Sequence, residues 1–153
     1  MTRMTEVKNE QEMRGLGERL GVLLSGGETI ELVGDVGAGK TTLVRGVAHG
    51  MGIEETVQSP SFTINRVYDT AHGHRLVHYD FYRLTDPGIM REELREAMSE
   101  PLTTSIIEWA DSVEQTLPDD RLTIHIQTTS EQGRQLTFQA GGKRSRSLLE
   151  KLQ

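Results

Sequence analysis

Apolar residues recur at helical spacing through Met13, Leu16, Leu20, Leu23 and Leu24, which predicts a first helix with one buried stripe. Asn9 and Glu12 form an N-x-x-E start signal for it, and "SGGE" at Ser25 to Glu28 stops it. "TIELVG" then reads as a strand, and a glycine-rich turn leads from it into a second helix over Lys40 to Met51. "FTINRVYD" and "RLVHYDFYRL" are two further strands, joined as a hairpin by "TAHGH". A helix is predicted over Ile89 to Met98, ending before Pro101. It is followed by "TSIIEW", a short apolar strand of the kind found inside parallel sheets. The alternating runs "RLTIHIQ" and "RQLTFQA" are strands joined through "SEQG", and "SRSLLEKL" is a C-terminal helix. Together these predict an α/β fold: a mixed, mainly parallel central sheet, helices on both faces, and antiparallel additions.

Composition narrows the class. The chain has 153 residues, 35% of them apolar and 26% charged, and no repeat or linker interrupts it, so residues 1–153 read as one domain. No apolar run approaches the ~20 residues of a bilayer span, and the N-terminus lacks the apolar stretch of a secretory signal, so no membrane association and a cytoplasmic location are expected. The absence of cysteine excludes disulfides, thiolate chemistry and cysteine-ligated zinc. A net charge of −6 argues against a broad direct grip on nucleic acid, which depends on clustered Lys and Arg. Any RNA connection is expected to pass through a partner.

The turn after the first apolar strand carries the sharpest chemistry. "GDVGAGKTT", Gly34 to Thr42, fits G-x-x-x-x-G-K-S/T between a strand and a helix, the context a phosphate-binding loop requires. Gly34, Gly37 and Gly39 keep side chains away from the backbone amides, and the helix beginning near Lys40 aims its N-terminal dipole at the same anion. Asp35, Val36, Gly37, Ala38, Gly39, Lys40, Thr41 and Thr42 are the expected nucleotide-binding residues. Within that set Lys40 reaches the β- and γ-phosphates, Thr41 binds Mg²⁺ through its hydroxyl, and Thr42 approaches the α-phosphate. The fold is accordingly expected to be a three-layer sandwich of P-loop NTPase type. Asp80 in "LVHYD" and Glu108 in "SIIE" each end an apolar strand, the place where α/β proteins bind ligands, and are candidates for ordering magnesium and water. The alternative for either carboxylate is to cap the turn that follows it.

Other features read more plainly. "QSPSFT" offers Ser59, Ser61 and Thr63 around Pro60, and composition alone favours an ordinary polar turn over a switch that senses the γ-phosphate. His72 and His74 flank a turn glycine and are expected to face solvent; with His78 they lack the further ligands of a zinc site. Trp109 is expected to serve packing, and "GKRSR" at Gly142 to Arg146 to be a solvated helix start.

"GDVGAGKTT", "SPSFT", "HYDFYRL" and "IEW" occur together in the order and approximate spacing of the TsaE (YjeE) family, which most of the chain resembles. The resemblance implies an Mg-dependent ATPase of slow turnover required for threonylcarbamoyladenosine on tRNA. It further implies action with a TsaB and TsaD partner pair and contact with tRNA only through that complex. It assigns Lys40 to the phosphates and Thr41 to the metal, with Asp80 and Glu108 around magnesium and the attacking water. It also turns "SPSFT" into a switch-like segment, against the plainer reading. The chain departs from the family pattern before "IEW", where "LREAMSEPLTTS" places Ala97 and Met98 in positions that usually carry aromatic bulk. A small-molecule kinase on the same scaffold is the competing reading, set against by the lack of an Arg-rich lid segment after the core. A nucleotide-binding adaptor without turnover is a third.

Overall fold

The computed structural model describes residues 1–35, 37–58, 60, 64–82 and 88–152. Its strands are β1 (Thr2–Val7), β2 (Thr29–Val33), β3 (Asn65–Asp69), β4 (Arg75–Asp80), β5 (Thr103–Glu108), β6 (Leu122–Thr128) and β7 (Arg134–Ala140). The helices are α1 (Glu10–Leu23), α2 (Lys40–Gly50), α3 (Gly88–Ser99) and α4 (Lys143–Lys151), with a 3-10 segment over Ala110–Thr116. One seven-stranded sheet runs β1-β7-β6-β2-β5-β4-β3. Its centre, β6-β2-β5-β4, is parallel, while β1, β7 and β3 pair antiparallel at the two sides. The expected α/β class and mixed sheet are therefore present, including the β3–β4 hairpin.

Asn9 caps α1 by accepting from the Glu12 amide at 2.9 Å, but the Glu12 carboxylate reaches back to the Lys8 amide rather than to that of Asn9. Met13, Leu16 and Leu20 are buried on one face of the sheet with Leu43, Val44 and Val47 of α2, and with Ile30, Ile106 and Ile124. Val77, Tyr79 and Ile107 point to the opposite face and meet Leu94 of α3 and Val113 of the 3-10 segment in a second, smaller cluster. Helices cover both faces as expected, although the second cluster rests on β4 and β5 alone.

The pairing of α1 with α2 has a cause that its apolar stripe did not reveal. A Cβ on Gly17 would lie 2.4 Å from the Leu43 carbonyl oxygen, and one on Gly21 would lie 2.1 Å from that of Val47. Gly46 and Gly50 stand in the same relation to the Arg14 and Glu18 carbonyls, at 2.2 Å each. The two helices thus touch backbone to backbone along a Gly-x-x-x-Gly spacing on both partners.

Strand β1 was not expected. It is an edge strand paired only with β7, so five of its six residues stay at least partly exposed and it needs no apolar run. The 3-10 segment after Trp109 was also not read from the sequence. β4 stops at Asp80 rather than running on through the rest of "RLVHYDFYRL", and Arg83 and Leu84 of that motif lie outside the described residues. Phe62 and Thr63, read as the start of "FTINRVYD", also lie outside them.

Candidate functional site

The glycine-rich loop joins the end of β2, the central parallel strand, to α2. Gly37 and Gly39 hold φ of 83° and 101°, the left-handed region that disfavours other residues. Gly34 serves differently: a Cβ there would come within 2.9 Å of the Ile126 carbonyl oxygen. Gly39 precedes the first residue of α2, and the first amide of that helix to find its helical acceptor is Leu43, bonded to Gly39 O at 3.0 Å. The amides before it, those of Lys40 to Thr42, face out of the N-terminus, where an anion would meet both their N–H groups and the helix dipole. Val36 of the loop lies outside the described residues, as do Ser59, Ser61, Phe62 and Thr63 of "SPSFT".

Lys40 is buried, and three groups surround its ammonium. Nζ donates to Gly34 O at 2.6 Å, lies 3.7 Å from Glu108 Oε1, and sits 4.1 Å from the centre of the Trp109 ring. Burial pushes its pKa below the ordinary lysine value, and the carboxylates of Glu108, Asp80 and Asp35 pull partly back. Asp80 and Glu108 are directly opposed in the β4–β5 register, so their side chains leave the sheet on the same side and at the same level. Both are buried. Asp80 Oδ1 accepts from the Tyr82 amide at 3.0 Å, so this carboxylate also caps the turn after its strand. Thr41 sits half-buried in the first turn of α2, and Thr42 Oγ1 donates to Glu10 Oε1 at 3.3 Å.

Sequence reasoning missed His78. It is fully buried, lies one alternation below Asp80 on the same strand face, and its Nε2 hydrogen-bonds Glu108 Oε2. The signal was available: a histidine two residues before a strand-end carboxylate shares its face. His74 corrects an expectation. It is half-buried rather than solvent-facing, with Nε2 2.9 Å from Thr104 Oγ1, and burial lowers its pKa despite the nearby Glu28 carboxylate. His72 is exposed, so the three histidines occupy three separate settings. Trp109, expected only to pack, adopts a left-handed backbone at φ 57° and lies between Lys40 and Tyr82, whose ring centre is 4.9 Å from its own. Arg144 of the "GKRSR" helix start is exposed yet reaches the Gly26 carbonyl and lies 3.7 Å from Glu28.

A cleft of about 810 Å³ opens beside the loop. Gly37, Gly39 and Thr42 form its floor, Asn9 and Glu10 its wall on α1, and Arg134 with its turn the opposite wall. The volume is in the range of a small-molecule site. The amides of the α2 N-terminus, a buried lysine and two strand-end carboxylates lie together at one end of the parallel strands.

Fold and site define an α/β protein in which a glycine-rich phosphate-type loop links a central parallel strand to a helix. The sequence model described as "Threonylcarbamoyl adenosine biosynthesis protein TsaE" matches residues 7–136. The chain belongs to the TsaE family. It is 38% identical to the tRNA threonylcarbamoyladenosine biosynthesis protein TsaE of Streptomyces coelicolor, over 86% of this chain and 93% of that protein. Identity to the Bacillus subtilis protein of the same name is 35%, over 94% and 89%. The crystal structure of Bacillus subtilis YdiB superposes with a TM-score of 0.79 at 29% identity, covering 99% of this chain and 94% of that one.

Proposed function

We propose that the protein binds ATP with Mg²⁺, hydrolyses it slowly, and in doing so supports a TsaB–TsaD-type partner pair in threonylcarbamoyladenosine modification of tRNA. Family membership supports the pathway, since relatives carry that modification in their names. The observation that carries the ATP reading is Lys40, held at the loop by Gly34 O and Glu108 with Asp80 beside it.

The donors present suit magnesium. Thr41 supplies a hydroxyl, and Asp80 and Glu108 supply carboxylate oxygens, the hard ligands this ion takes in small number alongside phosphate and water. When bound, the ion neutralises charge on the phosphates. The protein's own part is binding and placement. Loop amides donate to the phosphate oxygens, and Lys40 exchanges its Gly34 and Glu108 partners for them. Glu108, released from Lys40 but still held by His78, is placed to orient water. Trp109 and Tyr82 form an aromatic wall beside Lys40 that limits solvent there.

The test is ATP hydrolysis by the purified protein, alone and with the partner pair. Mg-dependent phosphate release that changes when the pair is added, and is lost in Lys40→Ala, is the expected outcome. Transfer of phosphate to a metabolite, with no response to the pair, would instead identify a kinase.

A further inference from the structure

Arg134 opens β7 on the far side of the cleft, and nothing in the sequence motifs singled it out. Its guanidinium bonds only to backbone carbonyls among the described residues. Nε donates to Ala38 O at 3.1 Å and Nη2 to Gly37 O at 3.4 Å, both in the glycine-rich loop. Nη1 donates to Gly133 O at 2.8 Å, Ser130 O at 3.3 Å and Glu131 O at 3.4 Å, all in the β6–β7 turn. No carboxylate of the described residues lies within 4.0 Å of it, unlike Arg75 and Arg121, which pair with Asp69 and Glu31.

A peptide plane points its C=O and N–H in opposite directions, so fixing the one aims the other. The Ala38 carbonyl shares its plane with the Gly39 amide. Drawing that carbonyl toward Arg134 turns the Gly39 N–H away from it, and this amide meets no partner among the described residues. The Gly37 carbonyl shares its plane with the Ala38 amide, which donates to Asp35 O at 3.0 Å and closes the turn. The guanidinium also brings to the edge of the cleft a positive charge that no carboxylate of the described residues pairs within 4.0 Å.

We infer that Arg134 is a positioning residue for nucleotide phosphate: it clamps the glycine-rich loop to the β6–β7 turn, aims the Gly39 amide, and adds uncompensated positive charge. This rests on the ATP reading above. A lysine could keep the charge but not the fork that spans two segments.

The experiment measures ADP affinity by calorimetry for the wild type, Arg134→Ala and Arg134→Lys, with a thermal melt of each. Charge-assisted hydrogen bonds of this kind lead us to expect a loss of about tenfold or more for the alanine variant, a smaller loss for lysine, and partial recovery of the alanine variant on adding millimolar guanidinium ion. A guanidinium response separates positioning from a general loss of fold, since a merely structural defect would not recover. Wild-type affinity in a folded Arg134→Ala protein would overturn this inference alone, as would losses that follow the melting temperature with no guanidinium recovery. A wild type that binds no ADP would overturn the ATP reading and this inference with it.

Discussion

At the scale of single residues, Lys40 and its neighbours set the chemistry, and their environments differ enough to separate their roles. Lys40→Ala should abolish measurable ATP binding, because loop amides alone leave the terminal phosphate charge unmatched; unaltered affinity by calorimetry would contradict this. Glu108→Ala should reduce hydrolysis more than binding, since ordering water matters most in the transition state. Equal losses in kcat and affinity would point to a structural role through His78. Trp109 is the only tryptophan in the chain, and Lys40 Nζ lies against its ring, so its emission reads one place. Adding nucleotide should shift that emission in the wild type and leave it unmoved in Lys40→Ala. Much of this site was legible beforehand. The Lys40 loop has fixed spacing, and Asp80 and Glu108 end apolar runs. His78 shares its strand face with Asp80, which the alternation does mark, but its bond to Glu108 and the reach of Arg134 to the glycine-rich loop depend on partners distant in sequence.

At the scale of elements, the turns at the far end of the sheet from the loop are fastened by buried charge. Glu28 accepts from the Ser25 and Gly26 amides at 2.9 and 2.8 Å and from Thr104 Oγ1 at 2.8 Å. Burial opposes its ionisation, but these bonds outweigh it and hold its pKa below the ordinary glutamate value. A carboxyl whose pKa falls on folding stabilises the protein above its unfolded pKa, about 4.3, and loses that contribution as pH drops through the folded value. Glu28→Gln should therefore lower the urea midpoint at pH 7, with the gap to wild type closing below about pH 4. A gap independent of pH would assign the effect to packing. Strand β1 escaped sequence reading because an edge strand with one partner needs little apolar content. The α1–α2 contact leaves no mark in the apolar spacing. Its signal was the absence of side chains at Gly17, Gly21, Gly46 and Gly50.

At the scale of the whole molecule, the sheet divides the interior into a large cluster under α1, α2 and α4 and a small one under α3 and the 3-10 segment. The large cluster is the less forgiving where its helices meet. Gly17→Ala must push a methyl group against the Leu43 carbonyl and should cost about 1–3 kcal/mol or more, read from chemical denaturation. A change under about 0.5 kcal/mol, the size expected of an ordinary surface substitution, would show that the helices can separate without penalty. The same contact has a mechanical consequence. Interlocked side chains can slip between rotamers, but two abutting backbones have no such compliance, so α1 and α2 behave as one strut. The two helices begin at the same end of that strut, where Thr42 Oγ1 donates to Glu10 Oε1 at 3.3 Å on one rim of the cleft. This rim is therefore stiff, and any widening to admit or release a ligand falls to the opposite rim, where Arg134 fastens the β6–β7 turn to the glycine-rich loop. Hydrogen exchange should show α1 and α2 opening together as one cooperative unit, with the turn over residues 129–133 opening earlier and independently.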